Sequence, residues 1–126
     1  MIIMARAGLS WRENAALSAG AHAYKIRTRE VDELILRGAR VRFESSADAG
    51  KRITVTRLAT LGIFALGTRK ATGQFFLTFE VDGDPVRMIT IPAKHERDAR
   101  LWVIQFNKAS DAARVQSELY RTDDVA

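Results

Sequence analysis

The chain has 126 residues, no cysteine and a formal net charge of +5. That length suits one domain, and the lack of cysteine excludes disulfides and thiolate metal sites, as in a protein of a reducing compartment. Apolar residues (47%) suffice for a core and charged residues (28%) are ordinary for a globular protein; no apolar run approaches a spanning helix and no signal-peptide pattern follows Met1, so a cytoplasmic location is expected.

Met1 to Gly8 has no periodic pattern and is expected to fray. Ser10-Trp11-Arg12-Glu13 is a capping box. It opens an alanine-rich helix through Ala23 that shares Trp11, Ala15, Ser18 and His22 on one face. Such a helix should dock through Trp11 or stay mobile. A second helix is predicted over Arg29–Arg37, capped by Thr28, with Glu30, Asp32 and Glu33 suiting the positive end of the dipole. Val31, Leu34 and Ile35 repeat at helical spacing, and Gly38 can supply the left-handed residue past the end.

The period then switches to two. A first strand, Ala39–Ser45, alternates Arg40, Arg42 and Glu44 with Val41 and Phe43. A second strand is predicted at Lys51–Leu58 and a third at Leu61–Thr68, with Gly62 and Gly67 as bends of a curved sheet. A turn at Arg69–Gly73 leads to a fourth strand, Gln74–Val81. There Phe75, Leu77, Phe79 and Val81 oppose Gln74, Phe76, Thr78 and Glu80. Asp82-Gly83-Asp84-Pro85 is a hairpin signal, and a fifth strand, Val86–Ile91, stops at Pro92. From Lys94 the pattern is helical, with Ala99, Trp102, Phe106, Ala109 and Ala113 on one stripe and Glu96–Arg100 as an i,i+4 pair. A break within Asn107–Asp111 would let Ser110 recap a last segment to about Tyr120, before a polar tail.

Several of these segments resemble small bacterial pleckstrin-homology-like domains: Thr54-Val55-Thr56-Arg57-Leu58, Leu61-Gly62-Ile63-Phe64-Ala65-Leu66, Arg69-Lys70, Gly73, the closing Ala99–Asn107, and the short acidic helix leading through Gly38 into a strand. The resemblance covers about residues 29–108. It implies an α+β fold, a strongly curved antiparallel sheet or partial barrel closed by a C-terminal amphipathic helix, with an N-terminal helical lead-in. The domain would span 29–121, after a helical extension (1–28) and before a tail (122–126). Five predicted strands fall short of the seven of a full barrel. The family implies binding rather than catalysis.

No residue constellation points to an enzyme, a cofactor or a metal. Gly62 to Lys70 resembles a phosphate loop only superficially, since Thr68 rather than Lys follows Gly67. Asp82-Gly83-Asp84 has none of the further oxygen ligands of a calcium loop. His95 and Asp98 can share a helix face, with no nucleophile near them in sequence.

Charge offers more. Residues 24–70 hold eleven Lys/Arg against five Asp/Glu, and a basic half of this kind attracts anions. Lys51 and Arg52, with Arg69 and Lys70, form basic corners that a curved meander can bring to one end. Arg40 and Arg42 would extend them into a site for an anionic lipid headgroup or a protein partner. Leu101, Trp102 and Phe106 offer an apolar strip for a homo-oligomer. The expected function is therefore a noncatalytic interaction module of a bacterium or phage, the origin being a reading of the Arg and Ala bias. The alternative is a small basic nucleic-acid-binding protein, against which the phenylalanines divide between sheet faces and no recognition helix is evident.

Overall fold

A computed structural model of the chain describes residues 6–45, 48 and 74–125. The strands expected at Lys51–Leu58 and Leu61–Thr68, and the turn Arg69–Gly73, lie outside the described residues. Those described form a mixed α+β fold in the order α1 (Trp11–Ala23), α2 (Thr28–Leu36), β1 (Arg40–Ser45), β2 (Gln74–Val81), β3 (Asp84–Pro92), a short 3-10 turn (Ala93–His95) and α3 (Glu96–Val125).

The helix starts and stops follow local chemistry. The Ser10 hydroxyl accepts from the Glu13 N–H at 3.2 Å, and the Glu13 carboxylate accepts from the Ser10 N–H at 2.7 Å, which completes the capping box of α1. Gly38, at φ +74°, ends α2. Its N–H donates to Ile35 O, and the Ala39 N–H donates to Leu34 O, the two bonds of a Schellman stop. The same pair of bonds closes α1, from Lys25 to His22 O and from Ile26 to Ala21 O. There the left-handed position is held by Lys25, at φ 61°, a stop that no glycine announces. α2 has no side-chain cap: Arg27 stands at its N-cap and Thr28 is already helical.

Strand β2 pairs antiparallel with β1 and with β3, giving the order β1-β2-β3. Asp82 (φ 54°) and Gly83 (φ 80°) form the two-residue hairpin turn, the left-handed pair that suits strand twist. The register slips between Phe79 and Glu80, so Val86 bulges beside Pro85, whose missing N–H is tolerated there. Among the described residues the sheet has three strands and is open rather than closed into a barrel, which is partly at odds with the expected partial barrel.

One face of this sheet carries Val41, Leu77, Phe79, Ile89 and Ile91 into a core completed by the helices. The opposite face is buried too, at Phe76, Thr78, Glu80 and Met88. The predicted stripe of α3 is buried as expected, from Ala99 through Trp102, Phe106 and Ala109 to Ala113. Phe79 meets the rings of Trp102 and Phe106 edge-on, at 6.0 and 5.2 Å between centroids.

Two expectations for the helices fail for physical reasons. α3 is continuous to Val125, without a break at Asn107–Asp111 and without a separate tail. Its polar residues face a strand instead of interrupting the helix. The Asn107 amide accepts from the Val41 N–H at 3.0 Å and donates to Val41 O at 3.2 Å, while the Ser110 hydroxyl donates to Ala39 O at 2.6 Å. α1 does not dock through Trp11, which is 76% exposed; it buries Leu17 and Ala21. An alanine-rich helix has too little amphipathic contrast for its one large residue to mark the inner face.

Residues 6–8, the described part of the stretch expected to fray, are anchored by a buried ion pair. Arg6 Nε lies 2.6 Å from Asp32 Oδ1, with both side chains nearly inaccessible. Arg6 Nη1 also donates to Ser18 Oγ and to Asn14 O, so one guanidinium ties the lead-in, α1 and α2 together. Removing one member of such a pair strands the other charge, whereas replacing both with apolar residues is often neutral or better. Asp32→Ala should therefore lose about 3–5 kcal/mol in urea unfolding. The double variant Arg6→Met/Asp32→Leu should recover most of that loss.

Candidate functional site: a groove between the first and last helices

Contacts along α1 and α3 show that the two helices run antiparallel. Lys108 Nζ lies 3.2 Å from Glu13 Oε1 at one end. In the middle the Trp102 indole N–H donates to Leu17 O at 2.8 Å. At the other end the Tyr24 ring meets His95 and Trp102 edge-on, at 6.3 and 6.0 Å. Between the helices lies a groove of about 360 Å³. α1 and its C-cap residue supply Ala16, Ala19, Gly20, Ala23 and Tyr24; α3 and the preceding turn supply His95, Asp98, Leu101, Trp102 and Gln105.

Small residues on α1 make the groove possible. A Cβ placed on Gly20 would overlap the Trp102 ring, so the glycine lets the indole pass beneath the helix. The alanines on either side leave the wall low. Leu101, 52% exposed, and Ile104, 63% exposed, stand on the outer side of α3.

Electrostatics differ between the groove and its surroundings. At the inner end, burial pushes the Tyr24 phenol above its usual range, and the Asp98 carboxylate pushes in the same direction. Beyond Leu101 a second, open hollow of about 520 Å³ is lined by Ala93, Lys94, Glu96, Arg97, Arg100 and the same Leu101. Arg100 pairs with Glu96 at 3.1 Å and lies over the Phe43 ring at 4.5 Å. Lys94 and Arg97 are exposed. At the far end, Glu13 titrates below its usual range because the Ser10 backbone N–H donates to it, with Lys108 and the Ser10 hydroxyl adding to the effect.

The groove offers apolar surface with a phenol, an imidazole and a carboxylate at one end. Among the described residues no group of three or more metal-ligating side chains could hold an ion.

Of the site residues singled out by sequence, Leu101 and Trp102 line the groove, while Arg40 and Arg42 do not. Lys51, Arg52, Arg69 and Lys70 lie outside the described residues. Arg40 pairs with Asp111 at 2.6 Å and Arg42 with Glu80 at 2.8 Å, so each of these arginines already holds a carboxylate of the same chain. Of the proposed oligomer strip, Trp102 and Phe106 are core residues, 2% and 0% exposed, and only Leu101 is at the surface. The correction has a simple cause: Trp102 and Phe106 lie on the stripe that faces β2, and Leu101 lies off it. The groove itself went unread, since its walls are about 80 residues apart in sequence. The signal available was Ala16, Ala19 and Ala23 flanking Gly20 on one helix.

No protein-family model, no curated protein and no solved structure matches this chain.

Two measurements test this geometry. In an unconstrained helix, Gly→Ala gains up to about 1 kcal/mol. Here the methyl meets the indole, and overpacking costs about 1–3 kcal/mol, so Gly20→Ala should lower stability in denaturant unfolding. The Tyr24 phenolate should form at higher pH than that of a free tyrosine, seen as a late step in phenolate absorbance that Tyr24→Phe removes. A raised folded pKa means that the unfolded chain loses its proton first. This contribution to stability is therefore intact below about pH 10 and declines as pH rises through the folded value.

Proposed function

We propose that the protein is a noncatalytic interaction module that binds a protein partner, with the α1/α3 groove as its contact surface. One observation carries the reading: an apolar trough between two antiparallel helices, floored by Trp102 and walled by alanines. That shape suits a helical or extended segment laid along it. Alanines and a glycine let a partner backbone come close, and Leu101 offers an apolar side chain at the rim.

Concavity favours a protein over a membrane surface, because an interfacial helix presents a protruding apolar face to lipid. The nucleic-acid reading loses its support from β1, whose arginines are both ion-paired. Phe43 and Phe75 stack on each other at 4.8 Å, packed against the core. Phe76 and Phe79 are buried. A stacking platform needs rings free to take bases. The pleckstrin-homology-like plan rests on the resemblance of sequence segments, and the open sheet among the described residues weighs against its barrel.

The test compares the wild-type protein with Leu101→Glu, a surface change at the rim of the groove. A protein captured by the wild type is purified and titrated against both, with anionic vesicles and a random DNA duplex as parallel arms. The expected result is specific binding that the substitution weakens about tenfold or more. Capture that survives Leu101→Glu unchanged, or steeply salt-dependent binding of the duplex, would overturn the reading.

A further inference from the structure

We infer that the pocket between α1 and α2 that holds the Arg6 side chain is a binding site for a guanidinium group, and that a guanidinium carried by a separate molecule fills it when Arg6 does not. The site shares no residue with the α1/α3 groove and does not rest on it. The Arg6 guanidinium meets acceptors alone: Asp32 Oδ1 at 2.6 Å, Ser18 Oγ at 2.6 Å and Asn14 O at 3.3 Å. Two more oxygens of the same residues, Asp32 Oδ2 and Asn14 Oδ1, are buried with no partner. Asp32, Ser18 and Asn14 thus offer five acceptor oxygens, as many as the N–H donors on an arginine guanidinium.

The tether limits how well Arg6 uses these oxygens. Arg6 and Asp32 are 5% and 3% exposed, so solvent serves neither, yet Arg6 Nη2 is itself buried without an acceptor. The backbone that carries it is fixed. The Leu9 N–H donates to Arg6 O, Asn14 Nδ2 donates to Leu9 O at 3.3 Å, and Gly8 lies so close to Ala112 that an added Cβ would come within 2.6 Å of the alanine Cβ. A guanidinium held on that backbone leaves two oxygens and one of its own nitrogens unmet. One that is free to turn can meet more of them, and each buried polar atom left unmet is costly. An ammonium is no substitute, being a compact charge with three donors in place of a planar fork. The lead-in is therefore a ligand carried in cis, and α1 and α2 are the walls of its site.

The experiment uses the full-length Arg6→Ala protein and follows its thermal unfolding with methylguanidinium or methylammonium at equal concentration. Methylguanidinium should raise Tm saturably, by about 4 °C at a concentration about ten times its Kd, and methylammonium should not. Neither should stabilise the wild type, whose site is filled, nor Arg6→Ala/Asp32→Asn, whose site has lost its charge. Where Arg6→Ala alone does not fold, the same titration is read as helix regained in far-UV circular dichroism. A capped peptide copying residues 5–9 of the sequence distinguishes the source of the ligand. Stabilisation by the peptide as well as by methylguanidinium assigns the site to an arginine of a polypeptide, and stabilisation by methylguanidinium alone assigns it to a small guanidinium compound. Equal shifts with the two cations, the same shift in the Asp32→Asn variant, or neither a shift nor regained helix would overturn the site.

Discussion

The fold is joined at Trp102. Its ring packs edge-on to Phe79 of the sheet and lies against Phe106 of its own helix, with centroids 6.0 and 5.6 Å away. Its N–H is satisfied by the Leu17 carbonyl of α1, and its edge passes under Gly20. A buried indole needs both a large apolar enclosure and an acceptor for its single donor. Here the enclosure comes from the sheet and the acceptor from α1. The first helix is therefore held by the hydrogen bond and the close approach of one residue, as well as by Leu17 and Ala21. The groove is a by-product of this joint: α1 can approach α3 only where it has glycine, and its flanking alanines are too small to fill the space that remains.

A second set of constraints works on charge. The Arg6–Asp32 pair is the costly kind, because both groups leave water. Arg6 offsets part of that cost with bonds to Ser18 and Asn14. The surface pairs are the inexpensive kind, and they act mainly to tie elements: Lys108 to Glu13, Arg87 to Glu30, and Arg40 and Arg114 to Asp111. Of the positive charge that the sequence concentrates before residue 70, Arg40 and Arg42 are held by carboxylates of the same chain. What the described surface leaves unpaired near the groove is a short basic stretch at the start of α3.

Much of the architecture was legible locally. The capping box, Gly38, the alternation of β1, the bounds of β2 and the Asp82-Gly83 turn each depend on a few neighbouring residues, and each appears where the sequence places it. The stripe from Ala99 to Ala113 was equally plain, since helical spacing alone marks a buried face. Pairings between distant segments were not legible. Asn107 and Ser110 look like helix breakers until a strand edge lies beside them, and Arg6 looks like part of a fraying terminus until Asp32 is near. The candidate site belongs to this second group. Arg40 and Arg42 looked available because their partners, Asp111 and Glu80, are 71 and 38 residues away.

The amide of Asn107 has a consequence for how this chain meets other chains. By engaging both the N–H and the C=O of Val41, a side chain of α3 stands where a neighbouring strand would pair. Among the described residues β1 is an edge of the sheet; such an edge is a template for intermolecular pairing unless something interrupts it, and here the interruption is a single carboxamide. The same contact fixes the helix lengthwise, because a slide of one turn, about 5.4 Å, would carry Asn107 past Val41 and leave both backbone groups unmet. One polar residue in the middle of a long helix therefore acts both as a guard against strand-to-strand aggregation and as the index mark that sets helix against sheet.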